Sequence, residues 1–198
     1  MSFEIRPVQP ADREGVRRVI AAAFGGDGGD GGDGKRVVEL VSALDAAGHT
    51  RVSLVAEVQG VVSGHVQLST SWVDARERLV EVLVLSPLSV IPGQQRRGMG
   101  GALVSAAIAS AAQMGAPAVF LEGSPDYYGP RGFAPGAAHG FVRPSIRIPG
   151  RAFQVMMLDH HESWMTGALV YCDPFWKLDC VGLRDPLLAQ LEEGRGPT

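Results

Sequence analysis

The chain has 198 residues, 45% of them hydrophobic and 20% charged, with a formal net charge of −3. That composition excludes a disordered chain and predicts one sizeable core, with residues 1–198 as a single domain. The slight acidity argues against a broad nucleic-acid surface, which needs a clustered cationic face.

No uncharged apolar run approaches the ~18 residues of a membrane span, and Met-Ser-Phe-Glu-Ile-Arg does not read as a secretory leader. Two cysteines, Cys172 and Cys180, cannot make a disulfide framework. A cytoplasmic protein without membrane or nucleic-acid partners is therefore the expectation.

Phe3 to Val8 reads as a first strand. Pro10-Ala-Asp12 opens an amphipathic helix through Phe24, with Asp12 as the expected N-cap and Val16, Val19, Ile20 and Phe24 at helical spacing. Gly25 to Gly34 repeats Gly-Gly-Asp. Calcium-binding nonapeptide repeats share that composition, but they need an apolar residue per repeat to stack, and none is present, so a flexible loop is expected over 25–34. Lys35 to Ala47 carries a second helical stripe at Val37, Val38, Leu40, Val41 and Leu44, with Gly48 as its C-cap. Arg51 to Val58, Gln59-Gly60 and Val61 to Ser69 read as a β-hairpin.

Leu79 to Val90 is an apolar β-type run, and Gly98 to Met114 an alanine-rich helix with Leu103, Ala107, Ala111 and Met114 on one face. Pro87 cannot donate to a sheet ladder, so it marks an edge, bulge or break in the strand. Between strand and helix stands Gln95-x-x-Gly98-x-Gly100, preceded by Val90-x-Pro92 and followed by Gly101-Ala102. The first amides of a helix lack partners and its dipole is positive there, so small residues let a phosphate approach the main chain. Arg96 and Arg97 add fixed positive charge, and the turn reads as a diphosphate cradle. It is neither a dinucleotide fingerprint nor a P-loop, whose further glycine or Gly-Lys-Ser/Thr is absent.

Ala118 to Glu122 reads as the next strand, followed by Tyr127-Tyr128-Gly-Pro-Arg131-Gly132-Phe133. Phe153 to Leu158 and Gly167 to Cys172 are further strands. His160-His161-Glu162 has no second ligand cluster beside it, so it reads as a solvated loop and no metal site is expected.

The order strand, cradle, helix, strand, Tyr-x-x-x-Gly-Phe resembles the GNAT N-acetyltransferase superfamily. Gly64-His65-Val66, Ser86-Pro87-Leu88 and Pro125-Asp126-Tyr127-Tyr128 look most like its YhbS-type predicted acetyltransferases. The resemblance implies an α/β (α+β) GNAT fold, a mixed, mostly antiparallel sheet splayed at the acyl-CoA slot and flanked by helices. It implies acetyl-CoA as acyl donor and direct transfer to a small-molecule amine or peptide acceptor. Leu88, Ser89, Val90, Gln95, Arg96, Arg97, Gly98, Met99, Gly100, Gly101, Ala102 and Tyr128 are the implied cofactor contacts. Main-chain groups of Leu88 and Val90 would pair with pantetheine, and an N–H near Leu88 would face the thioester oxygen.

Tyr128 matches the position that protonates the departing thiolate; the bland alternative is a core aromatic, with Tyr127 as the neighbour a one-residue error would select. Many relatives carry a Glu on the strand before the cradle, where Ser86 and Val84 stand here. Glu122 or Glu81, reached through water, is the expected base. His65, a lone strand histidine, reads as structural. The missing strand carboxylate keeps a second class open, a CoA-binding regulatory protein with little catalysis, and a protein or aminoacyl acceptor is a third reading. Residues 160–198 extend past the usual core of the resembled fold, as part of an acceptor pocket or of a homodimer contact.

Overall fold

A computed structural model describes residues 2–25 and 32–182. Eight strands form a mixed, mostly antiparallel sheet, and the described residues divide into two compact units. Strands β3 (Val61–Ala75) and β4 (Leu79–Val90) pass through both, changing unit after Ser69 and after Val84.

The first unit holds β1 (Glu4–Pro7), α1 (Arg13–Phe24), α2 (Gly32–Ala46), β2 (Thr50–Val58), the first part of β3, the last part of β4, and α3 (Met99–Gln113). β1 pairs antiparallel with β2, and β2 with β3 through a tight turn in which Gln59 and Gly60 both take positive φ, 50° and 78°. The register skips Ser63, because Glu57 faces Val62 while Ala56 faces Gly64. This bulge turns Val62 and Gly64 to opposite faces of the sheet. Helix α1 packs on one face, where a Cβ on Gly15 would stand 3.0 Å from Val62 Cβ. Helix α3 packs on the other, and a Cβ on Gly64 would meet Leu103 Cδ1 and Met99 Sδ at 2.9 Å. Glycine at position 64 thus lets the start of α3 lie down on β3, which fixes the turn that precedes it.

The stripes read from the sequence face inward: Val19, Ile20, Leu40, Leu44, Leu103, Ala107 and Ala111 have no exposed surface. A fully buried Leu or Ile contributes roughly 1.5–3 kcal/mol. Met114 departs from that reading. It stands 51% exposed, one residue past the end of α3, where helical periodicity no longer sets its direction. Asp12 does not cap α1. Its carboxylate accepts both Arg6 nitrogens, at 2.6 and 2.9 Å, and the Gln9 N–H at 2.7 Å, so the tie to β1 replaces the cap. The loop expected over 25–34 is shorter, since α2 starts at Gly32; residues 26–31 lie outside the described residues.

The second unit holds the end of β3, the start of β4, β5 (Ala118–Glu122), the short helix α4 (Pro125–Tyr128), β6 (Ala134–Pro135), β7 (Phe153–Met157), β8 (Gly167–Tyr171) and α5 (Asp173–Lys177). β4 and β5 run parallel, paired at Leu83↔Val119 and Val84↔Phe120. β5 pairs antiparallel with β7 along its whole length, and β7 with β6. β8 pairs with Ser71–Ala75 of β3, so part of the expected C-terminal extension is a strand of the sheet. Residues 183–198 of that extension lie outside the described residues. Phe120 anchors this core, stacked on Phe153 at 5.8 Å and edge-on to Phe141 at 4.9 Å.

Candidate active site

The cradle begins where β4 ends. Exposure along β4 falls at Leu79 and Glu81, then at Ser86 and Leu88, so the outward face changes parity midway along the strand. The Ser86–Pro87 peptide bond within this stretch is cis. Leu88 is partly exposed, whereas Ser89 and Val90 are buried. Ser89, an implied cofactor contact, has its Oγ enclosed with no hydrogen-bond partner.

Pro92–Gln94 then makes one 3-10 turn. Gln95 folds back and donates from Nε2 to the Val90 carbonyl at 3.1 Å, tying the cradle to the end of its strand. A carbonyl has a second lone pair, so this bond leaves Val90 able to accept once more. Arg96 and Gly98 take positive φ, 60° and 85°. A Cβ on Gly98 would touch nothing within 4 Å, so glycine serves backbone conformation there and leaves the space in front of the turn open. The helical ladder starts with the Ala102 N–H on the Gly98 carbonyl at 3.0 Å, leaving the amides of Met99, Gly100 and Gly101 ahead of it. Arg96 and Arg97 are exposed, and Arg97 also reaches Gln94 Oε1 at 3.4 Å. Amides, dipole and guanidinium groups together make this end of α3 suited to a diphosphate.

In the second unit, the segment after β5 holds Tyr128. Ser124 O accepts the N–H groups of Tyr127 and Tyr128 at 3.1 and 3.0 Å, which shapes α4. Gly132 adopts φ +94°, and the turn drops Phe133 into the core, 4% exposed and 5.7 Å from the Tyr128 ring. Tyr127 is committed elsewhere: its ring carries the Arg131 guanidinium at 3.8 Å, and burial pushes its hydroxyl pKa up.

Glu122 closes β5. Its Oε1 accepts the Tyr171 hydroxyl at 2.8 Å. Burial pushes its pKa up to about 7, against the pull of Tyr171, the Gly182 backbone N–H and Arg147. A carboxyl poised near neutrality has the protonation behaviour a general base needs. Tyr171 has no counterpart in the sequence reading, because nothing local couples two residues 49 positions apart. Glu81, the other expected base, is exposed near the start of β4. His65 lies in the first unit, fully buried, and burial lowers its pKa to about 4.

Among the described residues no three His, Cys, Asp or Glu side chains are grouped to hold a metal, and no helix is long and apolar enough to cross a membrane. His161 packs its ring against Phe141 at 6.0 Å, so that part of the expected solvated loop is anchored. Both cysteines are buried, and neither is in a disulfide.

Residues 4–136 match the model of the acetyltransferase (GNAT) domain. The chain is 27% identical over 169 residues to the uncharacterized N-acetyltransferase YjhQ of Escherichia coli K12, covering 84% of each. Among solved structures it resembles the GNAT family N-acetyltransferase YhbS of Escherichia coli in complex with CoA, at TM-score 0.75 and 26% identity, over 87% of this chain and 91% of that one. It also resembles a GNAT family acetyltransferase of Brucella melitensis in complex with acetyl-CoA, at TM-score 0.68 and 28% identity, over 88% and 98%. The mixed α/β architecture is that of the GNAT fold, and the chain belongs to the GNAT acetyltransferase family.

Proposed function

We propose that this protein is an acetyl-CoA-dependent N-acetyltransferase that moves the acetyl group directly from the thioester to an amine acceptor, a small molecule or a peptide. The observation that carries the reading is the open turn at Gly98, its φ at +85° and the first amides of α3 just behind it. Two relatives that match most of this chain were crystallised with CoA or acetyl-CoA, which supports the same ligand here.

In this reading the amides of Met99, Gly100 and Gly101, ahead of the first ladder bond, and the side chains of Arg96 and Arg97 hold the diphosphate. Main-chain groups of Leu88, Ser89 and Val90 guide the pantetheine arm. An N–H near Leu88 faces the thioester oxygen and gains strength as that oxygen becomes an anion, which stabilises the transition state. The acceptor must arrive neutral, although a free alkylamine has a pKa of about 10. Its nitrogen forms a bond to the acetyl carbon, the carbon–sulfur bond breaks, and the thiolate takes its proton from the Tyr128 hydroxyl. The surplus proton on nitrogen leaves through water to Glu122, whose pKa near 7 suits it to accept a proton.

The second reading, a CoA-binding regulatory protein, is favoured by one observation: Glu81, the carboxylate on β4, sits exposed near the strand's beginning, away from the cradle end. Release of free CoA against a panel of amines separates the two. Turnover with any amine supports the transferase, whereas acetyl-CoA binding without release across the panel supports the sensor.

A further inference from the structure

The first unit contains a cavity of about 410 Å³ beneath α1 and α2 that none of the chemistry above uses. Its floor is the sheet. His65 pairs with Val55 and Ser53 with Gln67 across β2 and β3, so the side chains of Ser53 and His65 share the face that Val62 turns to α1. Gly64, one residue away, turns to α3, so this cavity lies on the opposite face of the sheet from the cradle helix.

The floor is polar and incompletely satisfied. Ser53 Oγ stands 3.0 Å from His65 Nε2, while His65 Nδ1 is buried with no hydrogen-bond partner. A buried polar atom left unpaired costs about 1–3 kcal/mol. Val16 and Ile20 of α1 and Val41 of α2 supply apolar walls. At the rim stand Arg13 and Arg17, four residues apart on one side of α1, and neither forms an ion pair among the described residues. Asp45 also reaches the rim, where its carboxylate accepts the Thr50 hydroxyl at 2.5 Å.

Each layer selects one part of a ligand. Two guanidinium groups suit a carboxylate. The walls suit an apolar body. His65 is neutral at physiological pH, and the Ser53 hydroxyl is satisfied by either ring tautomer, so Nδ1 either donates or accepts. A hydroxyl group answers both cases. A lone water would serve the floor but would leave the walls wet and the arginines without an anion.

We propose that this cavity is a second ligand site, which takes a small organic carboxylate with an apolar body and a hydroxyl at its far end. The carboxylate lies between Arg13 and Arg17, and the hydroxyl bonds His65 Nδ1.

The test uses 4-hydroxyphenylacetate, with phenylacetate and 4-hydroxyphenethyl alcohol as probes lacking one end. Titrations of the full chain are followed by calorimetry and by amide shifts. The expected result is binding at millimolar Kd or better, with shifts centred on Ser53, His65 and Arg17, and about tenfold weaker binding of each truncated probe. The doubly substituted Arg13→Gln, Arg17→Gln chain, altered only on an exposed helix face, should lose about tenfold for both carboxylates and nothing for the alcohol. His65→Phe should bind 4-hydroxyphenylacetate and phenylacetate equally. No shifts at about 10 mM probe, shifts centred elsewhere, or equal affinity in the Arg variant would overturn the proposal. None of these readouts involves acetyl transfer, so the outcome is separate from that of the proposed activity.

Discussion

Gly123 lies directly under the ring of Tyr128: a Cβ added there would stand 2.3 Å from Tyr128 Cε2 and 2.7 Å from Cδ2. The glycine is itself held still. Its N–H donates to the Ala152 carbonyl, and its own carbonyl accepts Gln154 Nε2, both at 2.9 Å. Tyr127 and Phe133 meet the Tyr128 ring at 4.8 and 5.7 Å, so the ring is held in a packed surround.

Gly123→Ala should therefore act through Tyr128. With Tyr128 as the acid, Tyr128→Phe is expected to lower kcat about a hundredfold, and Gly123→Ala to reproduce most of that loss, with acetyl-CoA affinity nearly unchanged in both. Steady-state kinetics beside calorimetry measures the split. Full activity in Tyr128→Phe would remove the tyrosine from the chemistry and leave it a packing residue.

The pair Glu122 and Tyr171 predicts a pH dependence. With its pKa near 7, Glu122 becomes a base as pH rises through neutrality, so kcat/KM should rise through that range and level off above it. Tyr171→Phe removes the hydrogen bond that pulls this pKa down, and the rise should move to higher pH. Glu122→Gln should abolish it, and an unchanged pH–rate profile in Glu122→Gln would eliminate the assignment.

Stability should carry the same signature with a defined sign. Because the folded pKa, about 7, exceeds the ordinary 4.5, the protonated form of Glu122 favours folding. That contribution is complete below pH 4.5 and disappears as pH rises to 7. Glu122→Gln, which stays neutral, should raise Tm relative to the parent at pH 8 and change it little at pH 4.5. Thermal melts across that range measure the crossover.

The cradle predicts a loss of binding. Gly98→Val places a β-branched residue at φ +85°, and Arg97→Ala removes one of the two exposed cations beside it. Together they should weaken acetyl-CoA binding at least a hundredfold, with the circular dichroism spectrum preserved. Unaltered affinity by calorimetry would place the diphosphate elsewhere.

Gly167→Ala should be costly for a different reason. At φ +148°, a Cβ there would lie 2.1 Å from the Asp74 carbonyl oxygen, across the ladder that joins β8 to β3. Backbone has no rotamer by which to yield, so a loss of about 2–4 kcal/mol is expected. Denaturant melts report that loss. Since β8 carries Tyr171, the pH profile should also shift as in Tyr171→Phe.

Contiguous features were legible in the sequence. The strand from Leu79 to Val90, the turn through Gly98, the helix behind it and the strand from Ala118 to Glu122 follow from local propensity, hydrophobic period and the placement of glycines, each encoded within a few residues. Local signals misled where a tertiary partner competed with them. Asp12 has the form of a cap, but Arg6 on β1 offers its carboxylate a stronger charged bond.

The chain order alone determined the family and the position of the turn proposed to hold the diphosphate, because helix start, strand end and positive-φ glycine are short-range facts. Only the tertiary structure decided that Tyr171 bonds the buried Glu122, that Gly123 packs under the Tyr128 ring, and that Arg13 and His65 share one cavity. Distance through space, burial and the resulting pKa shifts depend on which strands pair and on where a bulge turns a side chain. Residue spacing along the chain does not contain that information.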